Sequence, residues 1–260
     1  MIVQKLSDHE ALAIKEARCL SKEGDIAAAE RIFQAVLKSN SKNPSIYWIA
    51  GYEYSNYAMY TKSIDHFRCA IELDERCVPA WGGLGHVFKA LERWDEAEAA
   101  FRRRLELSES ANHYVFLASV LFEQGRHADT LVCCERALQL DDRQVDALLH
   151  QGNVYSLLGL HDKALECCRR AILIDDQYDE AHICLGVVLS GMNELEEASN
   201  AFQLAITINP QSASAYRQLG LLQEFKGDRV LAESYLRTAD DLDREQSRHG
   251  DVTGSRGPGD

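Results

Sequence analysis

Four thiols are the first residues whose type and spacing could do chemistry. Cys133 and Cys134 lie in the phrase LVCCERALQLDD, and Cys167 and Cys168 return 34 residues later in LECCRRAILIDD. Such a set would be a metal or redox centre if its thiolates converged, as four sulfurs do around tetrahedral zinc at about 2.3 Å from the ion. Convergence is not expected. Adjacent residues on a helix diverge by about 100°, and equivalent helices of neighbouring repeated units lie about 8–10 Å or more apart. Neither a CxxC spacing nor a paired histidine ligand accompanies the thiols. They read as core filler, so no metal and no other cofactor is implied. A glycine-rich phosphate loop, HExxH and a nucleophile elbow are all missing, and the nine histidines are scattered. The chain is therefore not expected to be an enzyme.

What positions those thiols is announced by the interval itself, because a phrase that returns at a fixed period marks a repeated structural unit. Seven units in phase begin at positions 10, 44, 78, 111, 145, 179 and 213, the third one residue short. Their eighth place is always small (Ala17, Gly51, Gly85, Ala118, Gly152, Gly186, Gly220), and their twentieth is Ala, Ser or Thr. By contrast, the twenty-fourth carries Phe33, Phe67, Phe101, Phe202 and Leu236. Large side chains set against small ones are what close helix packing requires. Apolar spacing within a unit is helical, with helix A over places 2 to 14 and helix B over places 18 to 31. A turn falls at place 15, where Gly24, Gly125, Gly159 and Gly227 can end a helix in the left-handed conformation. Cys134 and Cys168 take the twenty-fourth place, so they are expected to matter more to the core than Cys133 and Cys167.

This pattern resembles the tetratricopeptide repeat family, best of all in PAWGGLGHVFKALERWDEAEAAF of the third unit. The resemblance covers about residues 10–244. It implies an all-α fold, a right-handed α-solenoid of about seven helix-turn-helix repeats. Residues 1–9 then form a leader and helix cap, with Ser7-Asp8-His9-Glu10 reading as a capping box. Residues 245–260 have almost no apolar content and read as a disordered tail. The stack is expected to end with the seventh unit, because Asp240 stands where the other six have Leu or Ile at place 28. His182 replaces the usual aromatic of place 4 and is expected to be structural. Between units three and four, Arg104 occupies a place that is Ala in five units, and His113 follows at place 3 of the next. Two polar side chains at one close contact should send Arg104 out toward Glu106 or Glu109, or bend the array, leaving blocks 1–110 and 111–244.

Lys and Arg number 28 against 41 Asp and Glu, a net charge of −13 that disfavours nucleic acid and anionic membranes as partners. No apolar run is long enough to span a membrane, and Lys5, Asp8, Glu10, Lys15 and Glu16 interrupt what a signal peptide would keep apolar. A cytoplasmic location with reduced thiols is expected.

In the family that the chain resembles, helix A faces line a concave groove that binds peptides or partner helices through places 2, 5, 9 and 12. That stripe offers Trp48, Tyr52, His86, Lys89, Val115, Phe122, Leu149, Asn153, Ile183 and Arg217 as candidate binding residues. Its three positive and three negative residues cancel, so the wall is neutral and partly apolar while the chain is acidic. An extended or helical partner segment with apolar anchors suits such a wall. A subset of the family grips the acidic tail of heat-shock chaperones with Lys and Asn at places 5 and 9, which no unit here matches, so that partner is not expected. The expected function is a non-catalytic scaffold or adaptor. The alternatives are a dedicated chaperone for a secreted or assembling protein, or a targeting subunit of an enzyme complex.

Overall fold

The structure is a computed structural model that describes residues 7–22, 25–39 and 42–251. Among them are fourteen α-helices and no strand: α1 (Asp8–Lys22), α2 (Ile26–Ser39), α3 (Pro44–Asn56), α4 (Tyr60–Leu73), α5 (Val78–Ala90), α6 (Trp94–Leu107), α7 (Ala111–Glu123), α8 (His127–Leu140), α9 (Val145–Leu157), α10 (His161–Ile174), α11 (Asp179–Gly191), α12 (Leu195–Ile208), α13 (Ala213–Lys226) and α14 (Arg229–Asp251). The fold is all-α, and each repeated unit is one helix pair. Most helices begin one residue before the apolar spacing indicates, because the first position of a helix need not face the core. It can even be proline, whose missing N–H would have no partner there: Pro44 and Pro79 stand in the first turns of α3 and α5.

Caps follow the local sequence. Ser7 and Glu10 form the expected capping box, with Ser7 N–H donating to Glu10 Oε2 at 2.7 Å and Glu10 N–H to Ser7 Oγ at 3.3 Å. Asn43 Oδ1 accepts from Ser45 N–H at 3.0 Å ahead of α3. At the other end, α14 continues to Asp251 through the first residues of the stretch read as tail. Poverty in apolar residues does not forbid a helix where Arg244, Glu245 and Gln246 favour it and no glycine or proline intervenes before Gly250. Residues 1–6, Gly24 and 252–260 lie outside the described residues.

Place 15 is left-handed in every unit where it is described. Gly125 and Gly159 have φ of 71° and Gly227 88°, yet Ala58 (54°), Glu92 (56°) and Asn193 (64°) adopt the same conformation. The connection of two or three residues between the paired helices imposes that conformation whatever residue occupies it, and a side chain there carries steric strain. Glu92→Gly is expected to raise stability by about 1 kcal/mol in urea denaturation. A loss of stability would show that the exposed Glu92 side chain holds the turn.

The chain divides into two compact units, one including Met1–Glu109 with α1 to α6, the other spanning Ser110–Gln246. The division falls inside SESANH, where the sequence points to a weak junction. In the first unit Ile14, Phe33, Ile46 and Tyr54 share one buried cluster. Phe67 is fully buried, and a Cβ added to Gly51 would stand 2.8 Å from its ring while one added to Gly83 would overlap it. Phe101 fills the hollow at Gly85 in the same way, where an added Cβ would lie 2.5 Å from its ring. In the second unit Leu148, Val188, Phe202 and Leu219 form the core. Phe202 seats on Gly186 and Leu236 on Gly220, with added Cβ atoms 2.5 Å and 2.8 Å away. The small eighth place thus receives the large twenty-fourth of its own unit. Asp240 is exposed and lies 3.6 Å from Arg217 Nη2.

Candidate functional site

In the first unit, Trp48 and Tyr52 sit one turn apart on α3 and meet edge to face, with ring centres 5.8 Å apart. Tyr52 in turn stands edge-on to the buried Phe67 at 5.2 Å. The core therefore braces Tyr52, and Tyr52 braces Trp48, while both remain half-exposed. Aromatic rings held this way lose little freedom when a partner covers them. On α5, His86 stands edge-on to Phe101 at 5.2 Å, and half-exposed Lys89 follows one turn on. On the α1 side, Arg18 Nε pairs with Glu53 Oε1 at 2.8 Å.

A residue outside the expected stripe joins this face. Arg104 does not turn out toward Glu106: that carboxylate is taken by Arg103, which pairs with Glu106 and Glu75 at 2.8 Å each. Instead the Arg104 guanidinium lies on the backbone of Gly82, where an added Cβ would stand 2.8 Å from its Cζ and Nη1. The sequence did hold a signal for this. Gly82 is the one glycine at place 5, and it belongs to the unit whose place 27 is Arg. Burial, then the positive charges of Arg104 and Lys89, push His86 down to about 4, so the imidazole is neutral at pH 7.

The second unit treats its stripe differently. Val115, Leu149 and Ile183 are 5%, 8% and 8% exposed and fill the core, the latter two in one cluster with Phe202. Phe122 stays half-exposed, its ring centre 6.0 Å from that of His127 and 6.1 Å from that of His150. Asn153 is half-exposed on α9. Arg217 is held by Asp243 of α14 at 2.5 Å. Tyr178 O–H donates to Asp146 Oδ1 at 2.7 Å, and Asn209 Nδ2–H donates to Asp179 Oδ2 at 3.0 Å. Burial, with the neighbouring Asp179 and Asp146, pushes Glu180 up to about 7. The stripe's charges cancel in total but are sorted between the units. Arg18 and Lys89 stand in the first without an acidic residue, whereas Asp146, Glu180 and Glu224 outnumber Arg217 in the second.

Models of the tetratricopeptide repeat match residues 80–113, 145–178 and 180–212. The chain carries tetratricopeptide repeats. Anaphase-promoting complex subunit 3 of Schizosaccharomyces pombe is 27% identical over 143 residues, which are 55% of this chain and 22% of that protein. The chain thus spans about a fifth of the length of the curated relative it matches. Among solved structures, a tetratricopeptide repeat protein from Parabacteroides merdae has a TM-score of 0.80 at 12% identity, covering 95% of this chain and 99% of that one. The APC/C hetero-tetramer Cut9–Hcn1 follows with 0.70 at 16%, covering 87% and 45%. YrrB, titled a TPR protein with an unusual peptide-binding site, gives 0.54 at 23%, covering 70% and 95%. At these identities the structures establish the TPR fold and nothing finer.

Within the TPR array His182 has a structural place. Its Nε2 is 3.0 Å from the carbonyl of Asp176, just as Trp81 Nε1–H donates to the carbonyl of Glu75 at 2.9 Å. Both bonds join place 4 of a repeat to place 32 of the repeat before, so imidazole stands in for indole.

The paired cysteines are all buried in the TPR packing, Cys134 and Cys168 completely and Cys133 and Cys167 at 7% and 6% exposure. Burial of all four agrees with their reading as core filler, with Cys133 and Cys167 covered almost as fully as the pair expected to matter more. The cause is that α8 and α10 each pack between two A helices, so two adjacent residues can both be covered. Cys168 meets Cys184 of α11, with Sγ atoms 2.8 Å apart. Burial pushes the Cys134 thiol up and the Cys167 thiol up to about 11, and the Cys184 thiol together with burial pushes Cys168 up. Protonated thiols are poor nucleophiles and poor ligands. Among the described residues no group of three or more His, Cys, Asp or Glu is placed to hold a metal. Iodoacetamide at pH 8 is expected to label exposed Cys19 first and half-buried Cys69 next, reaching the six buried cysteines only on unfolding, as read by mass spectrometry. Rapid labelling of Cys133 or Cys167 in the folded chain would contradict this packing.

Proposed function

We propose that this TPR chain is a non-catalytic scaffold or adaptor that holds an extended or helical segment of a protein partner against its helix A stripe. One observation carries the reading: Trp48 and Tyr52 stand half-exposed on that stripe, braced edge-on by the core, as anchors in protein interfaces are. In the first unit His86 and Lys89 form the polar surroundings of the segment, and Phe122, Asn153 and Arg217 are the stripe positions that the second unit offers by itself. Support comes from what the similar proteins are described as: a subunit of the anaphase-promoting complex, a member of an APC/C hetero-tetramer and a protein with a peptide-binding site. Nucleic acid and anionic membranes do not belong to the proposal, given a net charge of −13. Among the described residues no helix is long and apolar enough to cross a membrane. A cytoplasmic setting fits eight cysteines that stand as free thiols.

The test is affinity capture from the source cell with the full chain and with its Trp48→Ala variant, quantified by mass spectrometry. A stoichiometric protein partner that the variant loses supports the scaffold. Capture of no stoichiometric partner, or of one indifferent to Trp48, overturns it.

A further inference from the structure

We infer that the turn edge of the second unit, formed by the helix ends of repeats five to seven, docks an amphipathic helix of a protein partner. That helix carries leucine or phenylalanine on one face and lysine or arginine beside them. The edge is separate from the stripe of Trp48 and Tyr52, so either surface can fail without the other.

A single exposed leucine means little, because folded surfaces are largely apolar. Here the exposed side chains gather at one structural position. Leu157 ends α9, Leu158 and Leu160 form the turn that follows, and Phe225 lies in the last turn of α13, with Leu157 63% and Phe225 73% exposed. The fourth repeat has Glu123, Gln124 and Arg126 at the corresponding places, so the turn itself does not require leucine. The three turns stand side by side: α11 packs against both α9 and α13, and neighbouring helix axes lie about 8–10 Å apart. Gly191 ends α11 at the place that is Leu157 in one neighbouring repeat and Phe225 in the other. A Cβ added to it would stand 3.2 Å from His161 Cε1 at the start of α10. On its other side, Gly191 and Leu195 face Leu221 and Phe225 across an open groove of about 300 Å³. The edge thus has a hollow at its centre and a large apolar side chain in register on either side.

Spacing and charge specify what covers this edge. Residues seven apart on a helix share one face and rise about 10.5 Å, close to the step from one turn to the next. A partner helix of about fifteen residues therefore brings one side chain to Gly191 and others to Leu157 and Phe225. Asp162, Glu194 and Glu224 are exposed along the edge. Its cations are engaged or peripheral: Lys226 pairs with Glu196 at 2.6 Å, Lys163 lies over the Tyr155 ring at 5.4 Å, and Arg229 stands past the last turn at the start of α14. Lysine and arginine on the partner, flanking its apolar face, answer those carboxylates. An anionic lipid surface would also accept exposed leucine and phenylalanine, but these carboxylates repel it. A second copy of this chain, itself at −13, meets the same repulsion.

The probe is a degenerate library of acetylated, amidated fifteen-residue peptides with helical apolar spacing and random flanking positions, selected on the immobilised full chain and read by sequencing. Wild type is expected to yield peptides that prefer Lys and Arg over Asp and Glu at the flanks by about two- to fivefold, the worth of an exposed ion pair. Those peptides should bind the Leu158→Ser, Phe225→Ser double variant at least about tenfold more weakly, from the loss of two apolar contacts. Both residues are exposed, so the variant keeps wild-type circular dichroism. Trp48→Ala should leave their affinity unchanged, and Glu194→Lys with Glu224→Lys should turn the flank preference toward Asp and Glu. A selection that yields only peptides indifferent to Leu158 and Phe225 overturns the inference, and peptides of that kind lost on Trp48→Ala still uphold the groove. Edge-dependent peptides without a basic preference overturn it too. So does a dimer in sedimentation equilibrium, or binding to vesicles of equal phosphatidylserine and phosphatidylcholine, that the Leu158 and Phe225 variant abolishes, since either places another occupant on the edge.

Discussion

Phe67→Ala is expected to destabilise the chain by about 3–5 kcal/mol, the range for removing a fully buried phenylalanine, and the upper part of that range applies here. The cost of such a truncation depends on how far neighbours can collapse into the space. Phe67 is seated against Gly51 and Gly83, which have no side chains to swing inward, and their helices α3 and α5 already pack on one another and on α4. The cavity therefore persists. Against a typical total stability of about 5–15 kcal/mol, such a loss moves the urea midpoint by a large fraction of its value. Gly83→Ala gives the converse: its Cβ overlaps the ring, and overpacking of this kind costs about 1–3 kcal/mol. If the two residues act through this contact, the double variant will be clearly more stable than the sum of the singles allows, because the added methyl enters the space the ring has left. Simple additivity would show that the two losses arise elsewhere.

Trp48→Ala is expected to weaken partner binding by more than tenfold with helical content near wild type, since truncation of a braced aromatic anchor commonly costs about 2 kcal/mol or more. Tyr52 behaves differently. Its ring touches Phe67, so Tyr52→Ala removes a support of the core along with an interface residue, and a drop in affinity would mix the two effects. Tyr52→Phe keeps the ring and reports the hydroxyl alone. Calorimetric titration of the captured partner with wild type, Trp48→Ala and Tyr52→Phe separates these contributions. Equal affinities for wild type and Trp48→Ala would remove this part of α3 from the interface.

Much of the fold was legible because the packing is an exchange of large for small at two fixed places. Gly51 with Phe67, Gly85 with Phe101 and Gly186 with Phe202 each announce a contact that the structure makes. The turn was only half legible. Glycine advertises the left-handed residue at Gly125 and Gly159, but at Ala58 and Glu92 it is the short connection, not the residue, that dictates φ. In the site, Trp48 and Tyr52 could be found from stripe position alone. Val115, Leu149 and Ile183 could not be sorted, because helical spacing says which face a residue is on and not whether another helix covers that face. Arg104 escaped since its place faces packing in other repeats, and only its match with Gly82 turns it inward. The Cys168 contact with Cys184 was hidden by the repeated phrase, which drew attention to the other cysteine pair.

Photo-crosslinking from two positions of the same helix pair tests the groove most directly. Ser55 lies on the stripe of α3 in line with Trp48 and Tyr52, and Asp65 is exposed on α4. With a photoreactive amino acid at one or the other, the captured partner should crosslink from position 55 and not from position 65. Crosslinking from position 65 alone, or equally from both, would contradict binding at the helix A stripe.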